Sequence, residues 1–130
     1  MVRTYGMAHI ALAVVDPERS FRFYERVFGM IAVYRSDDMI QAQTPGTRDV
    51  LVLERRPNIA RVAGGVLHFG FRLQDPADIQ LAVAAVRDAG GTIEEQGDFG
   101  TSEPFVYFRD PDGYQVEVWY ELPTPVDPKN

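Results

Sequence analysis

The chain has no cysteine, two histidines and one lysine, Lys129, in the tail of a 130-residue sequence. Without cysteine there can be no disulfide, thiolate nucleophile or sulfur-rich metal site, so any metal must be held by imidazole, carboxylate or phenolate. A single tail lysine leaves Schiff-base and pyridoxal chemistry without a nucleophile. Basic residues are outnumbered 13 to 19, and the net charge of −6 repels phosphate backbones and anionic lipid, so neither nucleic acid nor membrane is an expected partner. No apolar run approaches membrane-spanning length and the start carries no secretory pattern, which predicts a cytoplasmic protein. Gly-x-Ser-x-Gly, Walker and Gly-x-Gly-x-x-Gly patterns are also missing, which removes the serine-hydrolase and nucleotide-cofactor readings.

What is present is a unit written twice. "HIALAVVDPERS" starts at His9 and "HFGFRLQDPADI" at His68, and each runs from a histidine through an apolar strand to Asp-Pro. Asp16 and Asp75 suit helix N-caps, and Pro17 and Pro76 suit first helical positions. Phe21, Tyr24 and Phe28 then share a helical face closed by Gly29, and Ile79, Ala82, Val83 and Val86 share one closed by Gly90. Three strand-like runs follow each helix: "MIAVYR", "MIQAQT" and "DVLVLER", then "GTIEEQ", "FVYFRD" and "YQVEVWYE". The expectation is an α+β chain of paired βαβββ modules, residues 5–56 and 66–121, forming a cup-shaped, barrel-like mixed sheet with helices outside. Residues 57–65 would be a linker within a single domain and 122–130 an extended or mobile tail.

A lone histidine on an apolar strand is as a rule a satisfied core residue. Here a pseudo-twofold between the halves would let His9 and His68 converge, and a core role gives no reason for histidine at both places. Alternation along "YQVEVWY" points Gln115, Glu117 and Trp119 to one face and Val116 and Val118 to the other. Glu117 is then either an edge-strand surface charge or a buried anion in need of a cation. With the two histidines it completes a 2-His-1-carboxylate set that suits Fe(II) or Mn(II), with Zn(II) or Ni(II) as alternatives, and leaves room for a chelating small molecule.

These residues make the chain resemble the vicinal oxygen chelate superfamily: glyoxalases, extradiol dioxygenases, fosfomycin and bleomycin resistance proteins, and methylmalonyl-CoA epimerase. The resemblance covers about residues 5–121 and rests on the paired modules, on His9 and His68 opening them, and on "YFRDPDGYQVEVW". It implies His9, His68 and Glu117 as metal ligands in a metal-dependent enzyme, and a homodimer whose site either closes within one chain or takes His9 from the other. Val106, Tyr107, Asp110, Pro111, Gly113 and Glu117 match the extradiol pattern, in which Tyr107 would hydrogen-bond a metal-bound oxygen; as an alternative it is a packed core tyrosine.

Two departures weigh against ring cleavage. Asp98, Phe99 and Gly100 stand where the extradiol pattern has a histidine, and no third histidine is available as a base. Metalloglyoxalases add a glutamate ligand that falls on or near Val52 here, with Glu54 two residues on. Glu54 is left as fourth ligand, general base for a glyoxalase- or epimerase-like proton transfer, or surface charge. Ala11 replaces the threonine of fosfomycin-thiol transferases, and their phosphonate-binding lysine has no counterpart. Arg72 is either a cation inside the cup or a strand-end ion pair. The competing class is a metal-free drug binder similar to bleomycin resistance proteins, with a groove of Tyr34, Phe99, Phe105, Tyr107 and Trp119.

Overall fold

Asp16 and Gly29 bracket the first helix for the reasons their chemistry supplies. The Asp16 carboxylate accepts from the Glu18 amide at 3.1 Å, Pro17 occupies the first turn, and Gly29 ends the helix with φ at 66°. The computed structural model describes residues 1–129; the last residue of the tail lies outside them. The first module is β1 (His9–Val14), α1 (Pro17–Phe28), β2 (Ile31–Arg35), β3 (Met39–Gln43) and β4 (Val50–Arg55). A 3-10 turn at Pro57–Ile59 leads to the second module: β5 (Phe69–Arg72), a 3-10 turn (Pro76–Asp78), α2 (Ile79–Asp88), β6 (Thr92–Asp98), β7 (Pro104–Arg109) and β8 (Gln115–Trp119).

The second helix starts later than the sequence predicts. Asp75 does cap, but it accepts from Ala77 N at 2.9 Å and closes a 3-10 turn, so the α-helix begins at Ile79 instead of Pro76.

The fold is α+β, with two βαβββ modules and two four-stranded mixed sheets ordered β1-β4-β3-β2 and β5-β8-β7-β6. In each, the first and last strands of the module pair in parallel and the others antiparallel. The helices and the backs of both sheets share one core. Phe23 and Phe108 meet at 5.9 Å between ring centroids, and Phe28 stacks on Phe71 at 3.9 Å. The aromatic face of α1 is therefore wider than Phe21, Tyr24 and Phe28: Phe23 is buried too, because the helix packs on its own sheet and on the second module. Each fully buried Phe contributes roughly 1.5–3 kcal/mol of transfer free energy.

A buried polar clamp reinforces this join. The turn Asp110-Pro111-Asp112-Gly113, with Gly113 at φ 93°, sits against the first module. Asp110 accepts from the Tyr24 hydroxyl at 2.6 Å and from the amides of Asp112 and Tyr114 at 3.0 Å. Asp112 accepts from Ser20 Oγ at 2.6 Å, and from Val15 N and Arg19 Nη2 at 3.0 Å. The Tyr114 hydroxyl donates to the Ala13 carbonyl at 2.7 Å. Burial raises the Asp110 carboxyl above the ordinary aspartate range against the pull of these donors, and raises the Tyr24 phenol well above its own. Because both carboxylates are satisfied, the turn is fixed, and with it the start of β8.

Candidate functional site

Alternation along β8 buries Val116 and Val118 in the core and turns Gln115, Glu117 and Trp119 to the open face of the second sheet. Glu117 is nonetheless only 7% exposed. Its neighbours explain this: Tyr107 of β7 pairs with it on one side and Gly70 of β5 on the other. A Cβ on Gly70 would come within 2.8 Å of the Glu117 carbonyl, so the close approach of β5 to β8 at this point depends on glycine.

His68, just before β5, places Nε2 3.8 Å from Glu117 Oε1. That is too long for a hydrogen bond and on the scale that separates two ligands of one ion, each bonded at about 2.0–2.2 Å. Glu117 Oε2 is buried with no hydrogen-bond partner. The Tyr107 ring meets the His68 imidazole edge-on at 5.1 Å. Its phenol is pushed up to about 12, first by desolvation and then by the Glu117 carboxylate beside it. A desolvated carboxylate with an unpartnered oxygen, next to an imidazole nitrogen it does not bond, is a pair of donors of the kind that a divalent cation can bridge.

His9 does not join the pair within the chain. It opens β1 on an exposed surface, and among the described residues no group of three or more His, Asp or Glu side chains could hold a metal ion. The structure thus brings together two of the three ligands that the sequence nominates, along with Tyr107.

The register also locates the counterpart of Glu117 in the first module. Ala11 of β1 lies beside Val52 as Gly70 of β5 lies beside Glu117, each two residues after its histidine. Val52 holds the equivalent position, and Glu54 corresponds to Trp119. The Glu54 carboxylate lies 3.5 Å from Arg56 Nε and faces a 370 Å³ cavity between β1 and β5, which His68, Arg109 and Tyr114 also line. Arg72 takes the strand-end ion-pair role: its guanidinium grips Asp127 at 3.0 and 2.9 Å, with Glu121 at 3.6 Å. Arg109 is bound by Glu94 at 2.6 Å, and Glu94 is held below the ordinary range mainly by that bond.

Sequence reasoning passed over three residues here. Gly70 lies in "HFGFR", where a glycine inside a short strand signals close backbone approach. Asp110 enters the sequence reading only as part of the extradiol pattern and Asp112 not at all, although an Asp-Pro-Asp run ahead of an apolar strand offers two carboxylates that a neighbouring helix can bind.

The family model of the Glyoxalase/Bleomycin resistance protein/Dioxygenase superfamily matches residues 6–118. The chain is 28% identical over 124 residues to a manganese-dependent 2,3-dihydroxybiphenyl 1,2-dioxygenase of Geobacillus genomosp. 3, covering 93% of this chain and 38% of the dioxygenase. It is 30% identical over 120 residues to a probable trivalent organoarsenical cleaving enzyme of Bacillus subtilis (strain 168), covering 86% of this chain and 77% of that one. In fold it is similar to a glyoxalase-related enzyme from Fulvimarina pelagi, with TM-score 0.76, 23% identity, and coverage of 97% and 96% of the two chains.

Proposed function

The chain belongs to the Glyoxalase/Bleomycin resistance protein/Dioxygenase superfamily, and from that premise we propose that it is a metal-dependent enzyme whose site is shared between two copies. His68 and Glu117 of one chain, with His9 of a second, hold one divalent first-row ion, Fe(II) or Mn(II) ahead of Zn(II) or Ni(II). The observation that carries this is Glu117: buried, its Oε2 unpartnered, its other oxygen facing His68 across 3.8 Å. An exposed His9 on the open face of the first sheet is what a second copy would have to supply.

When bound there, such an ion supplies a Lewis-acid centre for two adjacent oxygens of a small molecule, and iron or manganese supplies redox chemistry as well. The residues of the chain do the rest. His68 and Glu117 fix the position of the ion, and Gly70 keeps the approach beside Glu117 free of a side chain. Tyr107, across the strand pair from Glu117, is placed to donate a hydrogen bond to a substrate oxygen. We favour extradiol-type cleavage of a catechol by dioxygen, in which both atoms of dioxygen end in the product. This is the activity named for the Geobacillus relative, of whose length the chain spans 38%.

The chemistry of the site argues against two other readings. Trivalent arsenic is a soft, thiol-seeking centre, and this chain has no cysteine to offer it. A phosphonate site like that of the fosfomycin-thiol transferases would need the lysine that has no counterpart here, since the one lysine, Lys129, lies in the tail, and Arg72 and Arg109 on the open face are already bound by Asp127 and Glu94. One further reading has an observation in its favour: Glu54 shares a cavity with His68, which suits it as the base of a proton transfer of glyoxalase or epimerase type.

The test is elemental analysis of wild-type protein beside His68→Ala and Glu117→Gln, followed by oxygen uptake with catechols. The expected result is near-stoichiometric iron or manganese in the wild type, its loss in both variants, and oxygen consumption with a catechol. Zinc or nickel, with solvent deuterium entering a hemithioacetal or an epimerisable substrate, would move the assignment to proton transfer by Glu54. A wild-type protein that takes up no ion even on reconstitution would refute the enzyme and leave a metal-free aromatic-groove binder.

A further inference from the structure

On the helical side of the chain, with the shared core between it and Glu117, a 630 Å³ cleft opens between α1 and the end of α2. Phe23, Ala89, Gly90 and Pro111 give it an apolar lining, and Arg19, Arg22 and Arg26 of α1 bring three cations to it against one carboxylate, Glu25. In a chain of net charge −6 this is a local reversal of sign. At 3.6 residues per turn the three arginines fall within about 60° of one another around α1 and span about 10 Å along it.

Packing and capping do not account for this cluster. Like charges three and four residues apart destabilise a helix, and Arg22 stands at those spacings from Arg19 and Arg26. Carboxylates do not relieve it: Glu18, four residues before Arg22, is bound by Arg35, and among the described residues neither Arg22 nor Arg26 forms an ion pair with Glu25 or any other carboxylate. The end of α2 does not call for cations either, because its last carbonyls are already taken. Ala85 O accepts from Ala89 N at 3.0 Å, Val86 O from Gly91 N at 2.9 Å and Arg87 O from Gly90 N at 3.1 Å. Arg26 suits the negative end of α1, but Arg22 lies in mid-helix. Arg19 is held by Asp112 at 3.0 Å through Nη2, which anchors a third guanidinium beside the other two.

Two arginine forks four residues apart suit a tetrahedral dianion. Each guanidinium offers paired N–H donors, and two positive charges match a phosphate monoester of charge about −1.5 to −2. The net charge of −6 holds nucleic acid and anionic membranes away, so the phosphate comes on a small molecule. We propose that this cleft binds a soluble phosphorylated small molecule, its phosphate held by Arg22 and Arg26 and its apolar part lying against Phe23 and Pro111. Nothing in this depends on the metal site, which lies across the core.

The test is calorimetric titration of the full chain with phenyl phosphate and with benzoate, in chelator-treated and in manganese-loaded protein, beside Arg22→Gln, Arg26→Gln and Arg48→Gln. Both cleft arginines are exposed and glutamine is a good helix former, so these variants keep the fold. Phenyl phosphate should bind at least about tenfold more tightly than benzoate, and Arg22→Gln and Arg26→Gln should each weaken it about tenfold. Arg22→Lys, which keeps the charge and loses the fork, should recover part of that loss. Arg48→Gln removes the same charge outside the cleft and should leave the affinity at the wild-type value, as should the presence or absence of manganese. No binding of phenyl phosphate, or an affinity unchanged in Arg22→Gln and Arg26→Gln, would overturn the cleft. So would an equal loss in Arg48→Gln, which would reduce the binding to net charge, and so would binding that appears only with manganese, which would place the phosphate on the metal. Equal affinity for benzoate and phenyl phosphate would overturn the phosphate assignment.

Discussion

The Tyr24 hydroxyl donates a 2.6 Å hydrogen bond to Asp110 Oδ2, and both residues are buried. The bond ties α1 of the first module to the turn that launches β8, the strand carrying Glu117. Tyr24→Phe leaves a buried carboxylate oxygen without this donor and should cost about 1–3 kcal/mol of stability, read as a lower urea midpoint. The clamp lies on the far side of the sheet from the site, so the folded variant should retain wild-type metal content. An unchanged midpoint would contradict the clamp.

Asp110 also sets a pH dependence. Burial raises its folded-state value above the ordinary aspartate range, so the folded protein holds this proton more tightly than the unfolded chain. Its contribution is full below the unfolded value, about 3.9, and is lost as pH rises through the raised folded value. Measured by urea titration, the stability difference between wild type and Asp110→Asn should therefore move toward the wild type as pH falls from 7 to 4. Glu94, held low by Arg109, gives the opposite slope in both proteins and cancels in the difference. A difference independent of pH would contradict the shift.

Gly70→Ala probes the approach beside Glu117. The added Cβ would meet the Glu117 carbonyl at 2.8 Å, so β5 and β8 must part and His68 must move relative to Glu117. Metal affinity should fall about ten- to a hundredfold, the range found when a group that orients a ligand is lost. Circular dichroism should show the same secondary structure, and metal titration reads the loss.

The tail is predicted to be held by Arg72. Asp127 lies well below the ordinary aspartate range, chiefly through its bond to Arg72, so the docking is present above that range and is lost as pH falls beneath it. Asp127→Ala should speed hydrogen exchange at the Thr124 amide, which donates to Asp127 Oδ2 at 2.9 Å. The pair is solvent-exposed, so the urea midpoint should stay at the wild-type value.

Much of this was legible in the sequence because it is local and repeated. His9 and His68 head equivalent strands, Asp16 and Gly29 bracket a helix by their own chemistry, and period-two alternation turns Glu117 away from Val116 and Val118. The equivalence of Val52 in the first module to Glu117 in the second follows from the same repeat. What escaped is long-range or depends on competing local bonds. Tyr24 and Asp110 are 86 residues apart and Ser20 and Asp112 are 92 apart, and no periodic signal links them. The late start of α2 turns on one side-chain bond from Asp75 that favours a 3-10 turn. Arg72 found its partner in a tail whose prolines suggested only extended chain. Phe99 was legible as an aromatic, but its stacking on Phe105 was not, because Asp98 fixes the loop and Gly97 makes room for the Phe105 ring.

The central claim, a site shared between two copies, is tested by complementation. His9→Ala and Glu117→Ala chains, each with its own affinity tag, are co-expressed and the mixed dimer is purified through both tags. In a shared site the mixed dimer rebuilds one intact set, with His68 and Glu117 from the first chain and His9 from the second. The account predicts about one manganese per mixed dimer at wild-type affinity, and none at that affinity in either variant alone. A mixed dimer as deficient as its parents, beside a wild type that binds one ion per chain, would contradict the shared site and place all three ligands within one chain.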